Sequence, residues 1–260
     1  MYLCGKYHIF VMKVNSIFAA LLLLVAGLQT AMAQKMIVTL NDNRKVTYSI
    51  SQVKEVSFVE SEEHEYVDLG LPSGTKWATC NVGANSPEEY GDYFAWGETA
   101  PKDYYGWSTY KWCKGSSNTM TKYCANSSCG YNGFRDNLTE LRPEDDAATA
   151  NWGSPWRMPS LDQIKELFNS SYTTTEWTTL NDVYGLKITS KSNGNSIFLP
   201  VAGGRWGGEL SNAGGSGYYW SSSLCPDYGD GAYFMYFNSG GWYWYDNYRN
   251  FGLSVRAVCP

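Results

Sequence analysis

Residues 217–251 read GYYWSSSLCPDYGDGAYFMYFNSGGWYWYDNYRNF. Fourteen of these 35 residues are Phe, Tyr or Trp, and fifteen are Gly, Ser, Asn or Asp. Arg249 is the only basic residue among them. This is the composition of a binding surface. Rigid rings give contact area at low entropic cost, and small polar residues give adaptable hydrogen bonds. Fourteen rings in one segment also exceed what one sheet face can bury, so some are expected to face solvent.

The rest of the chain shows no comparable concentration of chemistry. It has 260 residues and a net charge of −5. The first 33 residues carry Lys6 and Lys13 and no acid, so the remainder carries −7. Such an acidic chain is a poor partner for nucleic acid or anionic lipid. Residues 1–33 are expected to be a secretory signal peptide, with Met12 as an alternative start. Lys13 supplies its basic region, residues 17–28 its apolar run, and Ala31-Met32-Ala33 its cleavage site. The apolar run is too short for a comfortable membrane span, so none is expected after cleavage. Cys80, Cys113, Cys124, Cys129, Cys225 and Cys259 follow the leader. An even number in an exported chain suits disulfides, with fifteen possible pairings. Cys124 and Cys129 have no nearby His and no second cysteine pair, so no metal site is expected.

Residues 34–60 read as a small β unit: strand-like 36–40, a turn at Asn41-Asp42-Asn43, then strand-like 46–50 and 56–59. Residues 61–65 read as a charged linker with His64 as a solvated member. Residues 66–80 suggest strand, turn and strand around Pro72-Ser73-Gly74. Residues 113–135 have three cysteines and little periodicity. Glu144-Asp145-Asp146 could offer calcium oxygens, but the spacing of an EF-hand loop is missing. Helix capping after Pro143 is the better reading. Residues 160–170 predict a helix, with Ser160 and Gln163 as a capping box and Leu161, Ile164, Leu167 and Phe168 as an apolar stripe. Residues 186–189 and 196–201 suggest strands joined at Asn193-Gly194. Residues 203–208 (GGRWGG) lack the Lys-Ser/Thr of a phosphate cradle and read as a flexible turn. Residues 252–258 alternate Leu253, Val255 and Ala257 against Ser254, Arg256 and Val258, as a closing antiparallel strand would.

Several motifs in fixed order carry a family resemblance. They are residues 67–74 (VDLGLPSG), 145–148 (DDAA), 152–160 (WGSPWRMPS), 197–203 (IFLPVAG), 219–222 (YWSS) and 252–258 (GLSVRAV). Together they resemble the Fibrobacter succinogenes major paralogous domain of exported Bacteroidetes proteins, over residues 64–260. That family is similar to the C-type-lectin-like fold of formylglycine-generating enzymes and of the variable proteins of diversity-generating retroelements. The resemblance implies an α+β domain with twisted antiparallel sheets and few helices, preceded by the small β unit. It also implies a ligand-binding surface near the C-terminus.

By analogy with retroelement targets, the ligand-facing positions would be Asp227, Tyr228, Asp230, Phe234, Tyr236, Asn238, Trp244, Asp246, Tyr248 and Asn250. Trp244 fits less well, because adenine changes alone do not turn an Asn codon into Trp. Alternation supports part of the set. If Tyr233, Met235 and Phe237 face the core, then Phe234, Tyr236 and Asn238 face outward. The triplets of calcium-dependent sugar binding are absent, as is the paired-cysteine context of the formylglycine-generating enzymes. The expectation is an exported, non-enzymatic binding protein at the cell surface, in the periplasm or outside the cell. It needs no cofactor, and its ligand is a protein or glycan on a host, bacterial or phage surface. A formylglycine-generating-type or glycan-modifying enzyme, and a structural subunit of a surface assembly, are the alternatives.

Overall fold

A computed structural model describes residues 20–21, 35–39, 45–49 and 64–260. The chain divides into two units, Met1–Glu60 and Ser61–Pro260. In the first, β1 (Ala20–Leu21), β2 (Lys35–Thr39) and β3 (Lys45–Ser49) form an antiparallel sheet in the order β1-β2-β3. The β2–β3 pairing fits the expected hairpin unit. Its turn, residues 56–59, the linker residues 61–63 and all of the leader except Ala20 and Leu21 lie outside the described residues. No helix among the described residues is long and apolar enough to cross a membrane.

The second unit is built of short antiparallel sheets with two short helices, an α+β arrangement. β4 (Tyr66–Asp68) and β5 (Lys76–Ala78) form the expected hairpin, and β14 (Val258–Cys259) joins β5 from the far end of the chain. Helix α1 (Ala147–Trp152) is followed by α2 (Leu161–Leu167). β6 (Thr173–Leu180), β7 (Val183–Ser190) and β8 (Ser196–Pro200) form a meander. β9 (Gly204–Trp206) and β10 (Glu209–Ser211) form a hairpin. β11 (Gly217–Leu224), β12 (Gly231–Asn238) and β13 (Gly241–Tyr248) form the aromatic sheet.

Local chemistry accounts for most of these boundaries. The capping box of α2 is complete: Gln163 N donates to Ser160 Oγ and Ser160 N to Gln163 Oε1. Ile164, Leu167 and Phe168 of its stripe are buried, and Leu161 is half-buried. Pro143–Asp145 form a 3-10 turn with Pro143 and the acids Glu144 and Asp145 in its first turn, as expected, and Asp146 then caps α1 by accepting from Thr149 N and Met158 N. Asp145 plays a different part. It is buried and accepts from Tyr123 Oη at 2.6 Å and from Lys122. Burial raises its pKa, but these bonds and the Lys122 and Lys111 charges outweigh burial and leave it below the ordinary carboxylate value.

Four expectations need correction. Residues 203–208 form most of the β9–β10 hairpin, because Gly207 takes a positive φ of 62° at its turn. Residues 252–257 form no regular strand, and only Val258 enters β14. They run as an extended segment with isolated bridges to Phe94, Tyr219 and Arg157, buried on every side. His64 stacks on Trp152, with ring centroids 3.9 Å apart, rather than standing in solvent. Finally, none of the six cysteines is in a disulfide. Residues 113–135 are ordered instead by fully buried Met120 and by Asp136, which accepts from Tyr123 N, Cys124 N and Leu138 N.

The core lies on both faces of the aromatic sheet. On one face Trp220, Phe234, Leu224 and Ala232 pack with Phe94, Trp96, Trp156 and Val255. On the other, Tyr219, Met235 and Phe237 pack with Ile164, Leu167, Leu186, Leu199 and Trp77. Fully buried Arg256 ties the surrounding segments together. It donates to Asn81 Oδ1, Ala78 O, Thr79 O and Phe198 O at 2.8–3.1 Å. Replacing it with Met fills the volume but leaves buried acceptors without donors. The Arg256→Met variant is expected to lose about 3 kcal/mol or more, read as a drop in the urea midpoint. An unchanged midpoint would remove Arg256 from this role.

Candidate ligand-binding surface

The register of the aromatic sheet follows from its second turn. Asn238 pairs with Gly241 across the two-residue loop Ser239-Gly240. Tyr236 is therefore opposite Tyr243, and Phe234 opposite Tyr245. On β11, Tyr218 pairs with Tyr236 and Trp220 with Phe234. Residues directly opposite share a face. Two cross-strand rows result on one face: Tyr218, Tyr236, Tyr243 and Trp220, Phe234, Tyr245. The opposite face carries Tyr219, Met235, Trp244 and Phe237, Trp242.

Burial falls across the sheet from β11 to β13. Trp220 is fully buried and Phe234 is 5% exposed. Tyr218 and Tyr236 are half-buried. Tyr243 and Tyr245 are 50% and 55% exposed, and Trp244 is 40% exposed. Residues 243–246 are all exposed, so this part of β13 stands clear of the core on both faces, while Trp242 at its start is half-buried against Phe168.

The ten expected ligand residues therefore separate. Asp227, Tyr228, Trp244, Asp246 and Tyr248 are exposed; Asp230, Tyr236 and Asn238 are half-buried. Phe234 and Asn250 are buried and do not belong to the surface. Phe234 fails because β12 is covered on both faces, so its outward phase still meets core. Asn250 is drawn in by a hydrogen bond to Tyr105 O. Asp227, Tyr228 and Asp230 lie on the β11–β12 loop, at the opposite end of β12 from Asn238. Eight strand residues separate those ends by about 23 Å.

Several surface rings were not anticipated. Tyr243 and Tyr245 stack with centroids 5.8 Å apart and planes at 26°. A band of rings leads from the sheet onto neighbouring loops. Tyr236 meets Tyr218, Tyr218 meets Trp206, Trp206 meets Phe251, Phe251 meets Tyr248, and Tyr248 meets Trp107. Asn238 donates to Tyr236 Oη at 2.6 Å and Asn212 to Tyr218 Oη at 3.1 Å, which fixes both hydroxyls. The Ser239-Gly240 loop was the sequence signal for Tyr243 and Tyr245. A two-residue turn sets the register, and the register sets which rings share a face.

The surface is acidic. Arg249 and Arg256 are the only cations in residues 217–260, and both are fully buried. Asp227 and Asp246 are exposed and Asp230 half-buried. Arg249 anchors the end of β13: its Nη1 donates to Tyr123 O at 2.9 Å, and its guanidinium lies 5.6 Å from the Trp96 ring. Tyr233, beside the loop, has its pKa pushed up to about 12, first by its hydrogen bond with Cys225 and then by burial. Burial also pushes up the thiols of Cys80, Cys124 and Cys259, which keeps them protonated and weakly nucleophilic.

Two clefts lie elsewhere on the second unit. One of about 510 Å³ is lined by Glu140, Asp146, Trp156, Arg157 and Gln163. Another of about 440 Å³ is lined by Thr178, Leu180, Lys187 and Phe198. The exposed rings of β13 line neither of these two clefts. Comparison of the chain with known protein families, curated proteins and solved structures returned no match.

The division between core and surface rings has a measurable consequence. Phe234→Ala should destabilise the fold by about 3–5 kcal/mol. Tyr243→Ser with Tyr245→Ser should change stability by no more than about 0.5 kcal/mol per residue. Thermal unfolding of both variants checks this. Equal losses would place all three rings in the core.

Proposed function

We propose that this chain is an exported binding protein whose C-terminal sheet and adjoining loops engage a macromolecular ligand. Its second unit is a C-type-lectin-like domain of the Fibrobacter succinogenes major paralogous type. The observation that carries the reading is β13. Tyr243, Trp244 and Tyr245 stand exposed in a row, next to Asp246 and half-buried Asn247. A folded chain gains nothing in stability from leaving three large rings in water, whereas an interface uses such rings as anchors. The rings are about half exposed, which suits a protein or glycan better than an enclosed small molecule. Its carboxylates and buried arginines disfavour an anionic ligand.

The test is a protein and glycan array probed with the wild type and with the Tyr243→Ser, Tyr245→Ser double variant. A ligand bound by the first and lost at least tenfold by the second is the expected result. A ligand bound equally by both would move the site away from β13.

Diversification by a retroelement is part of the proposal. Sequencing the flanking DNA should then reveal a near-copy of the codons for residues 217–256, differing mainly at adenines. The mismatches should fall on exposed positions such as Tyr228 and Tyr248 and spare Phe234 and Asn250. Mismatches concentrated at buried codons, or no near-copy, would leave a fixed binder.

A further inference from the structure

The two edges of the aromatic sheet are treated differently. The β11 edge is covered. Trp220 N donates to Ser254 O, Ser222 N to Pro159 O and Leu224 N to Thr139 O, while Leu141 N and Ser254 N donate back to Ser222 O and Tyr218 O. The β13 edge has no such cover among the described residues. Sheet order ends on β13, all its pairings run to β12, and no backbone group of residues 242–247 bonds elsewhere. An antiparallel strand turns alternate backbone groups to each side, so about half of those on β13 face outward without a partner.

Apart from the single charge of exposed Asp246, the usual ways of blunting an edge are missing. Residues 241–248 contain no Pro and no Lys, and their register with β12 is unbroken; the one irregularity lies on β11, between Trp220 and Leu224. The side chains on both faces of this edge are exposed as well. An incoming strand would meet Tyr243 and Tyr245 on one face and Trp244 and Asp246 on the other.

Charge selects the occupant. A second copy paired here would bring Asp246 and the nearby Asp227 and Asp230 towards their equivalents, with no surface cation of residues 217–260 to offset them. A glycan has no alternating row of donors and acceptors to match a strand edge. An extended polypeptide has that row, and basic side chains on it could lie over the exposed rings and beside Asp246. We infer that β13 takes an extended, basic polypeptide segment as an additional strand. This rests on the reading of β13 as the ligand-binding surface and names the partner's chemistry.

The test selects random octapeptides from a display library on the full chain. Selected peptides should be rich in Lys or Arg. N-methylation of alternate backbone nitrogens on one side of a selected peptide should weaken binding at least tenfold. Methylation of the other side should leave it nearly unchanged. Asp246→Asn should weaken binding severalfold, and bound peptide should slow amide exchange in residues 242–247. Peptides that are not basic, or that tolerate both methylation patterns, overturn the inference, as does a library that yields no binder. Dimerisation that protects the same amides overturns it in favour of a second copy. If an array ligand is lost in the Tyr243→Ser, Tyr245→Ser variant while no peptide binds, this inference fails and the surface reading stands. If neither ligand nor peptide depends on β13, both fail.

Discussion

Arg256 is a buried cation with no carboxylate partner among its hydrogen bonds, and the second unit closes around it. It donates to Asn81, Ala78 and Thr79 on one side and to Phe198 on the other. Asn81 passes the link on, donating to Tyr90 O and to Tyr219 Oη, which itself donates to Pro200 O. Residues far apart in sequence are thus fixed to β11. Burial lowers the pKa of Arg256, but arginine starts so far above neutrality that the charge remains. Three backbone carbonyls and the Asn81 side-chain oxygen accept from it, with no matching acid among them. Such a site tolerates no partial assembly, because a missing donor strands several acceptors at once.

With β11 held there, the aromatic sheet extends outward in a graded way. β11 and β12 bury rings on both faces, which is why residues 231–238 read as a nearly continuous apolar run rather than a clean alternation. Gly217 belongs to this packing, because a Cβ there would lie 2.2 Å from the Phe237 ring. On β13 Trp242 still packs on Phe168, and from Tyr243 to Asp246 the strand leaves the two core clusters. Its similar composition meets water instead. One composition thus serves as core in one strand and as surface in the next, and position in the sheet decides which.

That explains what the sequence could show. The α2 capping box, the Asn193-Gly194 hairpin and the Asp146 cap are local patterns, and local hydrogen bonds decide them. The richness of residues 217–251 in rings implied that some must face solvent, and Tyr228, Tyr243, Trp244, Tyr245 and Tyr248 do. The identity of the surface rings was harder. Alternation on β12 correctly grouped Met235 with Phe237, but it could not reveal that the other face is covered too, so Phe234 was placed outside. Arg256 read only as one face of an alternating strand with Ser254 and Val258, because burial by distant segments leaves no mark on a short window. His64 looked solvated in its charge run, yet Trp152, 88 positions away, supplies the stacking partner. β6 (TTTEWTTL) carries weak hydrophobic signal and depends on its turn, where Asn181 and Asp182 take positive φ.

The central claim is that β13 places large rings in water while its neighbours β11 and β12 bury theirs. Hydroxyl-radical footprinting of the native protein, read by mass spectrometry, measures this directly. The account predicts heavy oxidation of Tyr243, Trp244 and Tyr245, with Tyr219, Trp220, Phe234 and Phe237 protected. Equal protection of both groups would show that β13 is covered, and the surface would have to be sought elsewhere.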